Sequence, residues 1–309
     1  MKGKELRGIF PILDTPFTKS GDVDFDSLQN EVRFMSEHGC HGLTLFGIAG
    51  EYYKLLEEEQ DRMLRVVIDE AHRHNTPIVA NVTCQSTEAA VKRAKYFEEQ
   101  GADALMLLPP SMHKPGVADL VDHMLTVCDA VKIPVVLQYC PESTGLAIDA
   151  HVFADVGKRT RNGDVYYKIE CKPAGAYTTT VLNLIGNLPR VFAGNAGYQF
   201  IELFDRGAIG VMPGPSMFDL YLQIYDEYIS GNRSESYKLH SNVLLPMLNH
   251  IRQKPEMIIA YEKAILCRRG IIETDYCRRP GFTRDEIYDR MYEELYEMVE
   301  PYLIAGNCK

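Results

Sequence analysis

The sequence predicts a (β/α)8 barrel with a C-terminal helical appendage, on three observations. Eight short apolar runs recur along the chain, and longer segments with helical periodicity lie between them. The phrases EHGCHGL, EEQGADAL and DRGAIGV each put a glycine after a charged last helical turn, shortly before the next apolar run. The first run leads into DTPFTKSGDVDF, which lacks the GxGxxG fingerprint of an open dinucleotide-binding sheet. Because parallel strands need crossover helices, these repeated units indicate a closed parallel sheet.

The eight predicted strands start at the following positions: Gly8 (GIFPIL), Gly42 (GLTLF), Pro77 (PIVANV), Ala104 (ALMLL), Pro134 (PVVLQY), Val165 (VYYKI), Arg190 (RVFAGN) and Ala208 (AIGVM). Apolar residues at helical spacing predict helices over 25–38, 57–74 and 88–100. Beyond residue 211 helix follows helix, over about 215–230, 234–251, 256–269 and 283–304, the last opened by a Thr283/Glu286 capping box. We therefore divide the chain into a barrel over 1–232 and a helical extension over 233–309 that packs on it.

Composition excludes several classes of protein and site. The chain has 33 Lys and Arg against 43 Asp and Glu, scattered along its length, so no basic surface for nucleic acid or anionic lipid is expected. No run approaches the length of a membrane span, and the N-terminal apolar run, broken by Pro11, does not look like a signal peptide. Eight dispersed cysteines form no CxxC pair, so neither a metal site nor a disulfide framework is expected, which fits a cytoplasmic protein.

Lys168 is the most informative candidate for chemistry, because it lies inside the predicted strand VYYKI. Charged side chains seldom face a barrel interior unless they are paired or used. If Lys168 points inward, desolvation favours the free amine that a Schiff-base nucleophile requires. The alternative is a lysine that pairs with Glu170 at a strand edge and has no chemical role.

Two further residues compete with Lys168 or could assist it. Lys172 has the same strand parity, but it precedes Pro173 and is expected to lie hydrated in a loop. Tyr139 ends the fifth predicted strand, and a phenol beside an amine can donate and accept protons. Its alternative role is half-buried packing. Since active-site residues of such barrels lie at the C-terminal ends of strands, Lys168 and Tyr139 together predict a site.

The loop GIAGE after the second predicted strand could bind a carboxylate through its backbone. Gly47 and Gly50 let backbone amides approach closely, and such concavities hold anions. Glu51 could equally cap the segment that follows. The seventh predicted strand runs into Gly194 and Asn195, which also reach the same end of the barrel.

The ordered motifs resemble the dihydrodipicolinate synthase and N-acetylneuraminate lyase superfamily of class I, pyruvate-handling aldolases. The resemblance covers nearly the whole chain, through GIFPILDTPF, GIAGE, the strand that runs into PESTG, the lysine strand and AGNAG. It implies that Lys168 forms an imine with a 2-keto acid and that Tyr139 shuttles protons. It also implies a homotetramer or homodimer and no organic cofactor or metal, because the imine does the work of a metal ion.

Departures from the family pattern point to a branch of it. Ile48 and Ala49 stand where the family has two hydroxyl residues, so binding of the substrate carboxylate would rest on the backbone N–H groups of Ile48, Ala49 and Gly50. The phrase YCPESTG lacks the arginine that holds a second carboxylate in the lysine-pathway synthases, which disfavours that activity. The phrases GIFP and YKIE, Gln138, and the helix that bears Lys263 are similar instead to 2-keto-3-deoxy sugar acid aldolases and dehydratases.

The sequence therefore predicts a Schiff-base lyase that acts on pyruvate or a 2-keto-3-deoxy sugar acid, by aldol chemistry or by dehydration. The polar groups best placed to select between these routes are Asn81, His113, Glu142, Ser143 and Asn195, although each could be a solvated loop residue. Two alternatives stay open: 4-hydroxy-tetrahydrodipicolinate synthase, and a non-catalytic barrel that binds sugar acids.

Overall fold

The computed structural model describes residues 5–306, and eight short strands within them form the sheet. The strands are β1 Gly8–Ile9, β2 Leu43–Leu45, β3 Ile78–Asn81, β4 Ala104–Leu107, β5 Val135–Tyr139, β6 Val165–Ile169, β7 Val191–Ala193 and β8 Gly210–Val211. All eight fall within the predicted apolar runs. The first is shorter than its run, because Pro11 has no N–H to donate to a ladder. A single parallel bridge joins Ile12 to Thr44 of β2.

The strand order is β1-β8-β7-β6-β5-β4-β3-β2, so that strands adjacent in sequence are adjacent in the sheet, with β1 beside β8. Every pair from β3 to β8 is parallel. The bridge between Ile12 and Thr44 links the two ends of that order. This is the (β/α)8 barrel that the sequence predicts, and further helices follow β8 along the chain.

Helices follow the strands in the expected alternation. They are α1 Phe25–Glu37, α2 Glu57–Arg73, α3 Thr87–Glu99, α4 Val117–Asp129, α5 Pro141–Thr144, α6 Ala150–Arg159, α7 Ala174–Leu184, α8 Phe200–Asp205, α9 Phe218–Ile229, α10 Arg233–Lys238, α11 Leu245–Ile251, α12 Pro255–Arg268 and α13 Glu286–Val299. The side chains of Asp24 and Ser86 accept N–H groups at the starts of α1 and α3. Gly39, Gly101 and Gly207 have φ of 90°, 100° and 105°, which confirms the left-handed ends expected after α1, α3 and α8.

Two details of the C-terminal helices differ from the prediction. The capping box at Thr283 is wrong: α13 begins at Glu286, and the Asp285 side chain accepts the N–H groups of Ile287 and Tyr288. Asp285 caps because it directly precedes the first turn. The predicted helix 234–251 is divided by a π-helical segment, Leu239–Leu244, between α10 and α11. Pro246 cannot donate the regular helical hydrogen bond, which explains the irregular turns before it.

The chain forms two compact units. The first comprises 5–7 and 77–212, and the second comprises 8–76 and 213–306. Within the second unit the C-terminal segment is tied to α1, because Asn30 Nδ2 donates to the carbonyl of Ile271 (2.8 Å) and the N–H of Glu273 donates to Ser27 Oγ (3.0 Å). The predicted boundary between 232 and 233 stays a prediction.

The sequence predicts no membrane span, no metal site and no disulfide framework. No helix within 5–306 combines the length and apolarity needed to cross a membrane. No group of three or more His, Cys, Asp and Glu side chains in these residues is arranged to hold a metal ion. None of the seven cysteines within 5–306 forms a disulfide, and four of them are buried, whereas Cys308 lies outside the described residues.

Candidate active site

The strands β5 and β6 place one lysine and one glutamine side by side. Their parallel register pairs Gln138 with Lys168 and Tyr139 with Ile169. Because side chains alternate between the two faces of a strand, Gln138 and Lys168 share one face, and Tyr139 lies on the other. Lys168 is only 1% exposed. Lys168 is therefore a buried lysine near the C-terminal end of β6.

Lys168 forms a buried ion pair with Glu170. Its Nζ lies 2.8 Å from Glu170 Oε1, and the two residues share a face because they are two positions apart on one strand path. The two interpretations of the sequence are thus both met in part: the lysine is inward and buried, and it is also paired with Glu170. The pair does not lie at a sheet edge, because β6 has β5 on one side and β7 on the other.

Groups from three strand ends fix the Glu170 carboxylate. Gln138 Nε2 donates to Glu170 Oε1 at 3.1 Å, the oxygen that also contacts Lys168. A Cβ built on Gly194, which follows β7, would lie 2.1 Å from Glu170 Cγ, so only glycine leaves room for this carboxylate. The Cys140 thiol also lies near Glu170, and burial together with that carboxylate raises the pKa of the thiol to about 12. The carboxylate is therefore held from several directions.

Tyr139 lies on the opposite face, among aromatic side chains of the helical layer. Its ring stacks on Tyr177 of α7 at 4.5 Å between centroids and contacts Phe153 of α6 at 5.7 Å. Burial raises the pKa of the Tyr139 phenol above its ordinary value. The structure does not bring Tyr139 to the face that holds Lys168. Gln138 is the residue of β5 that occupies that position.

The loops after β5 and β6 carry an exposed ion pair. Lys172 Nζ lies 3.1 Å from Glu142, and their side chains are 56% and 51% exposed. Lys172 is thus hydrated, as expected of a loop lysine, and differs in environment from Lys168. Ser143 Oγ accepts a hydrogen bond from the Cys140 thiol at 3.2 Å. Glu142 and Ser143 therefore sit directly beyond the strand that carries Gln138.

The remaining predicted residues of this unit also follow strand ends. Asn195 begins a short 3-10 turn after β7 with φ of 50°, a left-handed conformation that is uncommon outside glycine. Asn81 ends β3, and its Oδ1 accepts from Thr83 Oγ1 at 2.8 Å. His113 is exposed in the loop before α4.

The GIAGE loop belongs to the second unit. The N–H groups of Gly50 and Glu51 donate within the turn, whereas those of Ile48 and Ala49 have no acceptor among residues 5–306. The carbonyl of Gly50 accepts from Thr15 Oγ1 at 2.6 Å, which fixes the loop. Two adjacent amides are thus available to an anion.

Glu51 does not cap the next segment with its side chain, so that alternative is wrong. Its carboxylate is buried instead, 2.5 Å from Lys263 Nζ and 2.7 Å from Lys54 Nζ. The Glu51 carboxylate contacts the side chains of Lys263 and Lys54 rather than the backbone N–H groups of the next segment, because a buried charge needs a partner of opposite charge.

The second unit also has a cavity of about 840 Å³ that contains none of the predicted site residues. It is lined by Ala260, Asp275, Cys277, Arg279, Pro280, Gly281, Phe282, Thr283 and Arg284.

Sequence reasoning missed Gln138 as the neighbour of Lys168, and it placed the pairing of Lys168 with Glu170 at a strand edge rather than inside the barrel. The signal was present in both cases. Strand parity places Glu170 on the face of Lys168, and the register of β5 on β6 decides between Gln138 and Tyr139.

Comparisons with known proteins agree on one family. The model of the dihydrodipicolinate synthetase family matches residues 5–299. The chain is 25% identical to L-2-keto-3-deoxyarabonate dehydratase of Azospirillum brasilense, over 89% of this chain and 88% of that protein. It is 27% identical to 4-hydroxy-tetrahydrodipicolinate synthase of Methanopyrus kandleri, over 78% of this chain and 80% of that one. The crystal structure of dihydrodipicolinate synthase from Rhodopseudomonas palustris superposes with a TM-score of 0.86 at 24% identity, covering 95% and 98% of the two chains.

Proposed function

Because the chain belongs to the dihydrodipicolinate synthetase family and is a lyase-type enzyme, we propose that Lys168 forms an imine with a 2-keto acid. The substrate we propose is pyruvate or a 2-keto-3-deoxy sugar acid, and the reaction is aldol cleavage or condensation, or dehydration. The observation that carries this proposal is the buried amine of Lys168, 2.8 Å from the carboxylate of Glu170. Burial shields an imine from water, and an adjacent carboxylate can accept the protons that the chemistry releases.

Imine formation begins with the amine of Lys168 attacking the keto carbon of the substrate. The attacking amine must be neutral, and Glu170 Oε1 at 2.8 Å is positioned to accept its proton. The carbinolamine that results loses its hydroxyl, with a returned proton, as water. The product is a protonated imine, which withdraws electrons from C3 of the substrate.

The protonated imine then makes two bond cleavages possible. If the C3–C4 bond breaks, the C4 hydroxyl gives up its proton, an aldehyde leaves, and an enamine of pyruvate remains to be protonated at C3. If a base removes a proton from C3, the C4 hydroxyl takes up a proton and leaves as water. Glu170 is the carboxylate that the geometry offers for these transfers, since it contacts the nitrogen that becomes the imine.

The role of Tyr139 as the proton shuttle stays a prediction. The family resemblance favours it, whereas the stacking of its ring on Tyr177, on the face opposite to Lys168, favours packing. A substitution that removes only the phenolic oxygen distinguishes the two.

The residues after β5 support the proposed substrate class. Segment 139–145 contains no arginine, and its charged residue is Glu142, whose carboxylate would repel the second carboxylate of a dicarboxylic partner. Glu142 and Ser143 suit the hydroxyl groups of a sugar acid instead. We assign the substrate carboxylate to the amides of Ile48 and Ala49, in the turn that the Gly50 N–H closes on the carbonyl of Gly47, and assign contacts near C4 to Gly194 and Asn195. The dehydratase relative supports this class.

The second candidate is 4-hydroxy-tetrahydrodipicolinate synthase, which the Methanopyrus kandleri relative favours. Both candidates begin with the same imine and differ in the partner. A non-catalytic barrel that binds sugar acids would bind the keto acid without turning it over. We further expect a cytoplasmic protein that needs no cofactor. We also expect a homotetramer or homodimer, which the molecular mass in solution would test.

Borohydride reduction in the presence of pyruvate tests the imine directly. We expect mass spectrometry to find the reduced adduct on Lys168 in the wild-type protein and in a Lys172→Ala control, and to find none in Lys168→Ala. An unmodified chain after reduction with a range of 2-keto acids would refute the proposal. A panel of 2-keto-3-deoxy acids, assayed separately for pyruvate release and for dehydrated product, then separates aldolase from dehydratase.

A further inference from the structure

Gln138 stands opposite Lys168, at the position of β5 that faces the proposed imine. It is 4% exposed, and its Nε2 donates to Glu170 Oε1 at 3.1 Å. Lys168 Nζ contacts the same oxygen at 2.8 Å. One carboxylate oxygen therefore receives both donors, one from each of two paired strands.

We propose that Gln138 is a positioning residue, which orients the Glu170 carboxylate and keeps it ionised for proton transfer at C3 of the substrate. The inference rests on the function proposed above. A primary amide does not ionise near neutral pH, so Gln138 cannot itself be a general acid or base. Its N–H group can act only through the carboxylate that it contacts.

The contribution of Gln138 is needed once the imine has formed. In the free protein the Lys168 Nζ lies 2.8 Å from Glu170 Oε1, but an imine nitrogen carries fewer hydrogen atoms and is bound to the substrate. The Gln138 contact does not depend on that nitrogen and persists through the reaction. Because a donor to a carboxylate favours its ionised form, the Gln138 amide keeps Glu170 able to accept a proton.

The other groups around Glu170 allow the effect to be isolated. The titratable groups known to lie against it include Lys168, two positions earlier, and the Cys140 thiol beyond β5. Gly194 approaches from the end of β7 and has no side chain. Burial raises the pKa of Cys140 to about 12, so this thiol does not titrate in the range of the test. At saturating pyruvate Lys168 is present as the imine.

The test is deuterium exchange at C3 of pyruvate, followed by NMR in D2O at saturating pyruvate over about pH 5 to 9. The variants are Gln138→Met, which removes the donor, and the isosteric Gln138→Glu, which also adds a like charge. The matched control is Gln85→Met, because Gln85 is exposed and its Oε1 accepts from the N–H of Met112 at 3.2 Å. Borohydride trapping with pyruvate is measured on each variant.

In wild type the exchange rate should fall at acid pH as Glu170 becomes protonated, and we call this part of the profile the acid limb. We expect the pH of the acid limb to rise by about one unit in Gln138→Met, and by at least as much in Gln138→Glu. Adduct formation should persist, and the control should keep the wild-type limb. A merely structural role would lower the rate at every pH without moving the limb. Unchanged limbs in variants that still form the adduct would overturn the inference alone, whereas a wild-type protein that forms no adduct would overturn the proposed function as well.

Discussion

Glu51 and Lys263 form an ion pair in which neither side chain is exposed to solvent, with 2.5 Å between Oε1 and Nζ. The ammonium group also lies 4.3 Å from the centre of the Phe17 ring. The pair ties the loop that follows Gly50 to helix α12, so the second unit depends on it for both structure and loop position.

Removing Lys263 should destabilise the protein far more than removing a surface lysine. Lys263→Met leaves the Glu51 carboxylate buried with only Lys54 as a partner, so we expect a loss of about 3 kcal/mol in the free energy of unfolding. The control is Lys238→Met, since Lys238 pairs with Glu235 at the surface and should cost under about 1 kcal/mol. Urea denaturation measures both, and equal losses would contradict the importance of the buried pair.

Glu31 should make stability decline with rising pH. Burial raises the pKa of Glu31 to about 8, and neither oxygen of the Asp14 carboxylate beside it has a hydrogen-bond partner among the described residues. Between the unfolded pKa and about 8 the folded state binds more protons than the unfolded state, so stability falls as pH rises through this window and then levels off.

The Glu31→Gln variant should flatten that decline, because the amide does not ionise. Urea midpoints measured from acid to alkaline pH provide the check, with the exposed Glu37→Gln as the control. The interpretation fails if the wild-type and Glu31→Gln proteins lose stability with the same slope.

Glu170→Gln should slow proton transfer without preventing imine chemistry altogether. The amide keeps the size of the carboxylate but cannot accept a proton, so we expect deuterium exchange at pyruvate C3 to fall by about 10² to 10⁴. Borohydride should still trap the Lys168 adduct after long incubation. The exposed Glu99→Gln serves as the control. Exchange within a few-fold of wild type would assign the proton acceptor elsewhere.

Much of the fold could be predicted from the sequence, because it depends on local patterns. Apolar runs located all eight strands, and glycines after charged turns located the ends of α1, α3 and α8. The burial of Lys168 followed from its place within an apolar strand. Local patterns could not predict which of Gln138 and Tyr139 shares a face with Lys168. That depends on the exact register of β5 on β6, since a shift of one residue exchanges the two faces. Thr283 and Asp285 are both good capping residues, and local sequence does not rank them.

Tyr139→Phe should leave turnover within a few-fold of wild type. The phenylalanine ring keeps the stacking on Tyr177 and the contact with Phe153, and only the hydroxyl is lost. We therefore expect little change in pyruvate C3 exchange and a small change in stability. A loss of about 10² or more in the exchange rate, with the fold intact, would instead establish Tyr139 as the shuttle that the family resemblance implies.

Gly194→Ala should damage the site while the backbone tolerates the change. Gly194 has φ of −99°, which alanine adopts readily, but the new Cβ would lie 2.1 Å from Glu170 Cγ and 2.7 Å from Oε1. The Glu170 carboxylate must move, and a displacement of even 1 Å can cost about 10² in rate. The matched control is Gly281→Ala, whose Cβ would meet nothing closer than 3.7 Å. We expect C3 exchange to fall sharply in Gly194→Ala alone, with far-UV circular dichroism unchanged in both variants. If Gly194→Ala exchanges at the wild-type rate, the carboxylate does not need the position that the glycine provides, and Glu170 is not the group that moves the proton.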